Sequence, residues 1–170
     1  MKKVFLLLFS IILIGFGVLI VNERLAVACL KDVSPVIGKD SPIVLMSAED
    51  YVFELQLYDN ETAGQFLKQL PLTLVMTRWG EGGYGGSLAE KIKVSDDKKL
   101  KRRAFFKGEA VFSPKRNTLF LMFGATPVAL TVDQPMLLSS GGIPVGRLKN
   151  YQALEQLSGV VEFSIEIKKQ

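Results

Sequence analysis

Residues Lys107 to Asn150 read KGEAVFSPKRNTLFLMFGATPVALTVDQPMLLSSGGIPVGRLKN. At their centre Leu119 to Phe123 is an unbroken apolar run, with the turn-former Pro114-Lys115-Arg116-Asn117 before it and Gly124 after it. A run this short, rich in Phe and Leu and closed off by breakers, suits a strand buried on both faces better than a helix. The remaining strands are then expected to wrap around it.

Moving outward, strand signals recur on both sides. Ile43 to Met46 is short and apolar. From Tyr51, Phe53, Leu55 and Leu57 fall on one face and Glu54 and Gln56 on the other, the period of a half-buried strand. Leu72 to Arg78 alternates in the same way, with Leu72, Leu74 and Met76 against Thr73, Val75 and Thr77. Ala104 to Phe106 and Gly108 to Phe112 supply strand material before the central run, and Val145 to Leu148 a short strand after it. At the C-terminal end, Val161, Phe163, Ile165 and Ile167 alternate with Glu162, Ser164, Glu166 and Lys168.

Two segments have helical spacing instead. Ala63, Phe66, Leu67 and Leu70 form an apolar stripe ended by Pro71, with an Asp59/Asn60/Thr62 cluster offering N-caps and Thr62 with Gln65 at capping-box spacing. Tyr151, Leu154 and Leu157 predict one or two turns. Gly80 to Ser87 holds five glycines in eight residues and reads as a mobile loop or binding rim. Ser139-Ser140-Gly141-Gly142 reads as a loop, and Lys91 to Arg103, with seven basic residues and two acids, as a solvated charged loop. Many short strands, two short helices and glycine or proline turns describe a mainly β fold, a closed antiparallel β-barrel whose interior is filled by side chains.

A resemblance joins this reading. Phe123-Gly124-Ala125-Thr126-Pro127 after a buried strand, then Val145-Gly146-Arg147-Leu148, with Arg78-Trp79-Gly80-Glu81 and Tyr84 upstream, resembles the small cyclophilin-like barrel family of bacteria and archaea. The match spans Ile43 to Ile167. It implies a cyclophilin-like barrel with the helix near Phe66 closing one mouth, and a domain spanning 43–170.

The N-terminus reads as an address. Lys2 and Lys3 precede Val4 to Val21, an uncharged apolar run nearly long enough to span a bilayer as a hydrophobic helix. Positive charge before an apolar run is an export signal that keeps the lysines cytoplasmic and sends the domain to the extracytoplasmic face of the inner membrane. Three fates stay open for residues 1–28. The length of the run favours an uncleaved membrane anchor, Ala26-Val27-Ala28 offers a signal-peptide cleavage site, and Cys29 offers a lipoprotein junction. Residues 29–42 read as a linker.

Composition narrows the chemistry. Charged residues are 22% of the 170, and a net charge of +4 spread among seventeen acids argues against a nucleic-acid partner. There is no histidine, which removes histidine-based nucleophilic catalysis and the usual histidine metal sites. No catalytic set, cofactor signature or metal site is expected.

With the interior filled, a ligand has to bind on the outer wall or a rim. The candidates are Arg78, Trp79, Glu81 and Tyr84 in the glycine-rich segment, and Phe123, Thr126 and Arg147 further on. Trp79 and Tyr84 offer an apolar face with a polar tip, Arg78 and Glu81 opposite charges, and Thr126 a hydroxyl beside Pro127. The structural alternatives are equally concrete: Trp79 at the core edge, an Arg78–Glu81 surface pair, Phe123 in the core, and Arg147 in a structural ion pair. The function expected is binding of a small ligand or extended peptide in an outer groove between the Trp79–Tyr84 loop and the Gly124–Pro127 turn. The enzymatic alternative is a peptidyl-prolyl isomerase. True cyclophilins carry their arginine in a phenylalanine-histidine-arginine segment that this chain lacks.

Overall fold

Burial follows the alternation that the sequence sets up. The computed structural model describes residues 36–80, 82–94, 97–124 and 136–168. Strands β1 (Ile43–Ala48) and β2 (Tyr51–Leu57) form a hairpin that points Val44, Met46, Phe53 and Leu55 inward. Helix α1 (Glu61–Lys68) follows, then β3 (Leu72–Trp79), β4 (Gly83–Ser87), β5 (Arg102–Phe105), β6 (Glu109–Ser113), β7 (Thr118–Met122), β8 (Met136–Leu148) and β9 (Val160–Ile167). Two 3-10 turns, Asp97–Leu100 and Tyr151–Gln156, complete the described elements. The expected helices are thus α1 and the turn at Tyr151.

The strands form one antiparallel sheet in the order β2-β1-β9-β3-β4-β7-β6-β8-β5, and β2 also pairs with β8. That extra pairing joins eight strands into a ring, leaving β5 outside it. Two seams in the ring are short. β2 meets β8 in register at Leu55↔Leu148, Gln56↔Arg147 and Leu57↔Gly146, flanked by bonds from Lys149 N–H to Glu54 O and from Tyr58 N–H to Val145 O, and β3 meets β4 in register at Thr77↔Gly85, Arg78↔Tyr84 and Trp79↔Gly83. The fold is therefore, as expected, mainly β and antiparallel, with eight strands in a ring.

Every residue of β7 is buried, and the reason is a double layer. Leu119 and Leu121 join Ala110, Phe112 and Phe163 in the main core, whereas Phe120, Met122 and Val111 face the other way. On that outer side Phe105 of β5 and Leu138 of β8 pack over them as a second cluster. An outer wall roofed in this way explains why the central run has no polar face.

The structure corrects four of the expectations. Gly80 to Ser87 is not a loop throughout, because Gly83–Ser87 is strand β4 between β3 and β7. Its glycines are there for lack of bulk. A Cβ at Gly83 would stand 2.3 Å from the Leu121 carbonyl oxygen, and one at Gly86 2.7 Å from that of Val75. Ser139 to Gly142 is likewise strand, the part of β8 that runs beside β5. Thr62 is not the helix cap. Asn60 is, its side chain accepting from Ala63 N–H at 2.9 Å, and Thr62 lies in the first turn. The Lys91 to Arg103 stretch is not simply solvated either, since Asp97 is 6% exposed and Arg102 opens β5.

The apolar run Val4 to Val21 and Cys29 lie outside the described residues. Among the described residues no helix is long and apolar enough to cross a membrane.

Candidate functional site

Arg78, Tyr84 and Phe123 come together at one end of the ring. The Arg78 guanidinium lies 5.2 Å from the Phe123 ring centroid, and the Tyr84 and Phe123 rings are 5.8 Å apart. Arg78 Nη1 donates to the carbonyls of Glu155 (3.1 Å) and Leu157 (2.7 Å), and Nε to that of Gly80 (3.3 Å). The arginine thereby satisfies carbonyls at the end of the Tyr151–Gln156 turn, which is a structural task. Tyr84 and Phe123 are core residues. Burial pushes the Tyr84 phenol above its ordinary pKa, and the nearby Arg78 charge opposes that rise.

Trp79 turns the other way. It packs on the outer cluster, edge-on to Phe120 with 5.8 Å between centroids, and its Nε1 is buried without a partner among the described residues. Glu81, Thr126 and Pro127 lie outside the described residues. The structure therefore divides the expected set. Arg78, Tyr84 and Phe123 sit together, whereas Trp79 lies on the outer wall.

Arg147 belongs to a third place. It is exposed on β8, paired in register with Glu109 of β6. Glu109 is 2% exposed and heavily used. Its Oε1 accepts from Arg102 Nη2 (2.5 Å) and the Tyr58 hydroxyl (3.3 Å), and its Oε2 from Phe106 N–H (2.8 Å). Removal from water, reinforced by the Glu109 charge, pushes the Tyr58 phenol well above its usual range, with Arg147 opposing the rise. Arg102 and Tyr58 escaped the sequence reading. The one sequence signal for Arg102 is its position where the basic run meets the strand pattern leading to Phe105.

An opening with described walls follows the β3–β4 seam. Beyond Thr77↔Gly85 the two strands lose their pairing, and a cleft of about 690 Å³ lies between Leu72–Thr77 on one side and Gly85–Glu90 on the other, with Lys68 and Gln69 at its end. Arg78 N–H donates to Gly159 O at 2.8 Å across the β9 side. By strand alternation Leu74 and Met76 also turn their backbone groups to β9, while Thr73, Val75 and Thr77 turn theirs toward β4. Thr77 has Gly85 opposite it. Thr73 and Val75 have no partner in the β3–β4 register. Trp79 and Tyr84 do not line this cleft, which occupies the opposite end of the hairpin from the expected rim. Among the described residues no three Asp, Glu or Cys side chains are grouped closely enough to hold a metal ion.

Comparison with known proteins agrees with this architecture. The solution structure of the hypothetical protein AF2241 from Archaeoglobus fulgidus is similar at 17% identity and a TM-score of 0.61, covering 75% of this chain and 95% of that one. At that identity the likeness speaks for the fold. No curated protein matches the chain. The sequence pattern of the Cyclophilin-like family matches residues 46–166, and the chain belongs to that family.

Proposed function

We propose that this domain is a binding module that holds a polypeptide segment in extended conformation in the β3–β4 cleft. The observation that carries the reading is the broken ladder: Thr73 presents strand-edge backbone groups to an open cleft, beyond the point where the Val75 carbonyl closes against Gly86. An added strand gains affinity from such groups and selectivity from the side-chain pockets beside them. The walls suit this use, with Thr73, Thr77 and Ser87 beside Val75, Leu88 and Ala89.

In the same proposal the ring is a barrel filled by its own side chains, supported by the β2–β8 seam and the inward core. Lys2, Lys3 and the apolar run Val4–Val21 would hold it at the outer face of the inner membrane. Binding ranks ahead of prolyl isomerisation because Arg78 already donates to three carbonyl oxygens. Arg147, exposed on the outer wall, is the arginine on which the isomerase alternative would rest.

Selection of peptides from a random displayed library on the full chain tests the reading. Selected peptides should lose at least tenfold in affinity to Thr73→Pro, which removes a cleft-facing N–H, and to Ala89→Trp, which fills the cleft from an exposed position. Failure to select any peptide, or equal binding to both variants, would sink it.

A further inference from the structure

The outer wall carries a second feature, separate from the cleft and sharing none of its lining residues. Arg102 is nine-tenths buried, its side chain 10% exposed, and its guanidinium carbon lies 5.3 Å from the Phe105 ring centroid. Of its nitrogens only Nη2 has a partner, Glu109 Oε1. Among the described residues Nε and Nη1 are buried and meet no acceptor.

Nε and Nη1 thus carry three N–H hydrogens without an acceptor, on a group that cannot shed its charge. Burying unmet donors is costly, more so when they are ionised. Glu109 does not serve them, its oxygens being engaged by Arg102 Nη2, the Tyr58 hydroxyl and the Phe106 N–H. Nor does it balance the charge of the corner, because Arg147 stands opposite Glu109 in the β6–β8 register and adds a second positive charge. The apolar wall is provided by the cluster containing Phe105, Phe120 and Leu138, on whose edge Trp79 Nε1 is another buried donor without a partner. On this side of the ring, among the described residues, the unmet buried side-chain atoms are all donors.

We propose that the Arg102 corner is a binding site for an oxyanion, with the Arg102 Nε and Nη1 hydrogens as donors and the Phe105 cluster as apolar wall. Glu109 is its positioning residue, holding the guanidinium by Nη2 while the Nε and Nη1 donors stay unmet. Arg147, exposed and opposite Glu109 in register, adds positive charge to the corner.

Titration of the full chain with sodium benzoate, inorganic phosphate and neutral benzamide, followed by isothermal calorimetry and by the NMR signal of the Arg102 Nε–H, tests the site. Saturable binding of benzoate alone assigns a carboxylate carrying an apolar body. Binding of phosphate alone assigns a compact oxyanion. Either result should shift the Arg102 Nε–H signal, and Arg102→Met should weaken binding at least tenfold. Because that variant leaves Glu109 buried without its cation, the Arg102→Met/Glu109→Leu double variant repeats the test with the pair removed, and the wild-type NMR signal needs no variant at all. Benzamide binding as well as benzoate, no saturable binding of either anion, or a bound anion that leaves the Arg102 signal in place would overturn the proposal.

Discussion

Asp97 Oδ2 accepts from both the backbone N–H and the hydroxyl of Thr62 at 2.6 Å, across 35 residues of chain. Thr62 is the second residue of α1, so a buried carboxylate from the basic stretch meets the positive end of the helix and satisfies one of its open N–H groups. One contact thereby fastens the charged segment to the helix.

Asp97→Asn keeps an oxygen in place but removes the charge from both bonds. It should cost about 1–3 kcal/mol, as expected for weakened charge-assisted bonds to buried donors. Urea unfolding with the wild type as reference measures it. A cost below about 0.5 kcal/mol, the level of an ordinary surface change, would show the contact to be unimportant.

Three glycines should respond to alanine in different ways. Gly83→Ala drives a Cβ to 2.3 Å from a backbone oxygen of β7, so the strands must part, and a loss of about 3 kcal/mol or more is expected. Gly159 has open space around it but φ of +68°, which makes alanine cost about 1 kcal/mol from conformation alone. Gly64 lies in α1 with nothing within 4 Å, and alanine there should stabilise by about 0.5–1 kcal/mol. Thermal or chemical denaturation should rank the three in that order.

Proline scanning separates the two edges of β3. Thr73→Pro removes an N–H that faces the cleft and should leave the fold within about 1 kcal/mol, as for proline on an open strand edge. Leu74→Pro removes a bond to β9 and should cost about 3 kcal/mol or more. Reversed effects would mean that the two edges have been assigned the wrong way round.

Glu54 governs part of the acid response. Its carboxylate is paired with Lys168 and with Lys149 (2.9 Å), and these bonds, Lys168 foremost, hold its pKa down at about 2 against an ordinary 4.5. A carboxylate whose folded pKa is depressed stabilises above the unfolded value, and that contribution is lost as pH falls from about 4.5 toward 2. Glu54→Gln should flatten stability across that window, and added salt should shrink the difference because the pair is exposed. Identical pH profiles for the two proteins would rule the pair out as a contributor.

Where polarity alternates with period two, the sequence was legible. In Phe53-Glu54-Leu55-Gln56-Leu57 buried residues alternate with half-buried ones, and in the last strand from Val161 to Ile165 with exposed ones, as their letters suggest. The run Leu119 to Phe123 was legible for the opposite reason, since apolar partners on both sides leave no residue free to be polar. Strand β4 was hidden because Gly83 and Gly86 are set by the space between neighbouring backbones, and a lack of side chain resembles turn chemistry in sequence. Arg102 and Asp97 were hidden because their partners, Glu109 and Thr62, arrive from other strands and helices. The candidate site was the least legible part. Arg78, Trp79 and Tyr84 are neighbours in sequence, but the pleat of β3 sends Arg78 and Trp79 to opposite sides.

The two three-pair seams, β2–β8 and β3–β4, have a mechanical consequence. They divide the ring into half-shells of four strands, β3-β9-β1-β2 and β4-β7-β6-β8, each stitched internally by four to six residue pairs per junction. Under load the molecule should gape like a clam, hinging along one seam while the other yields, before either shell frays.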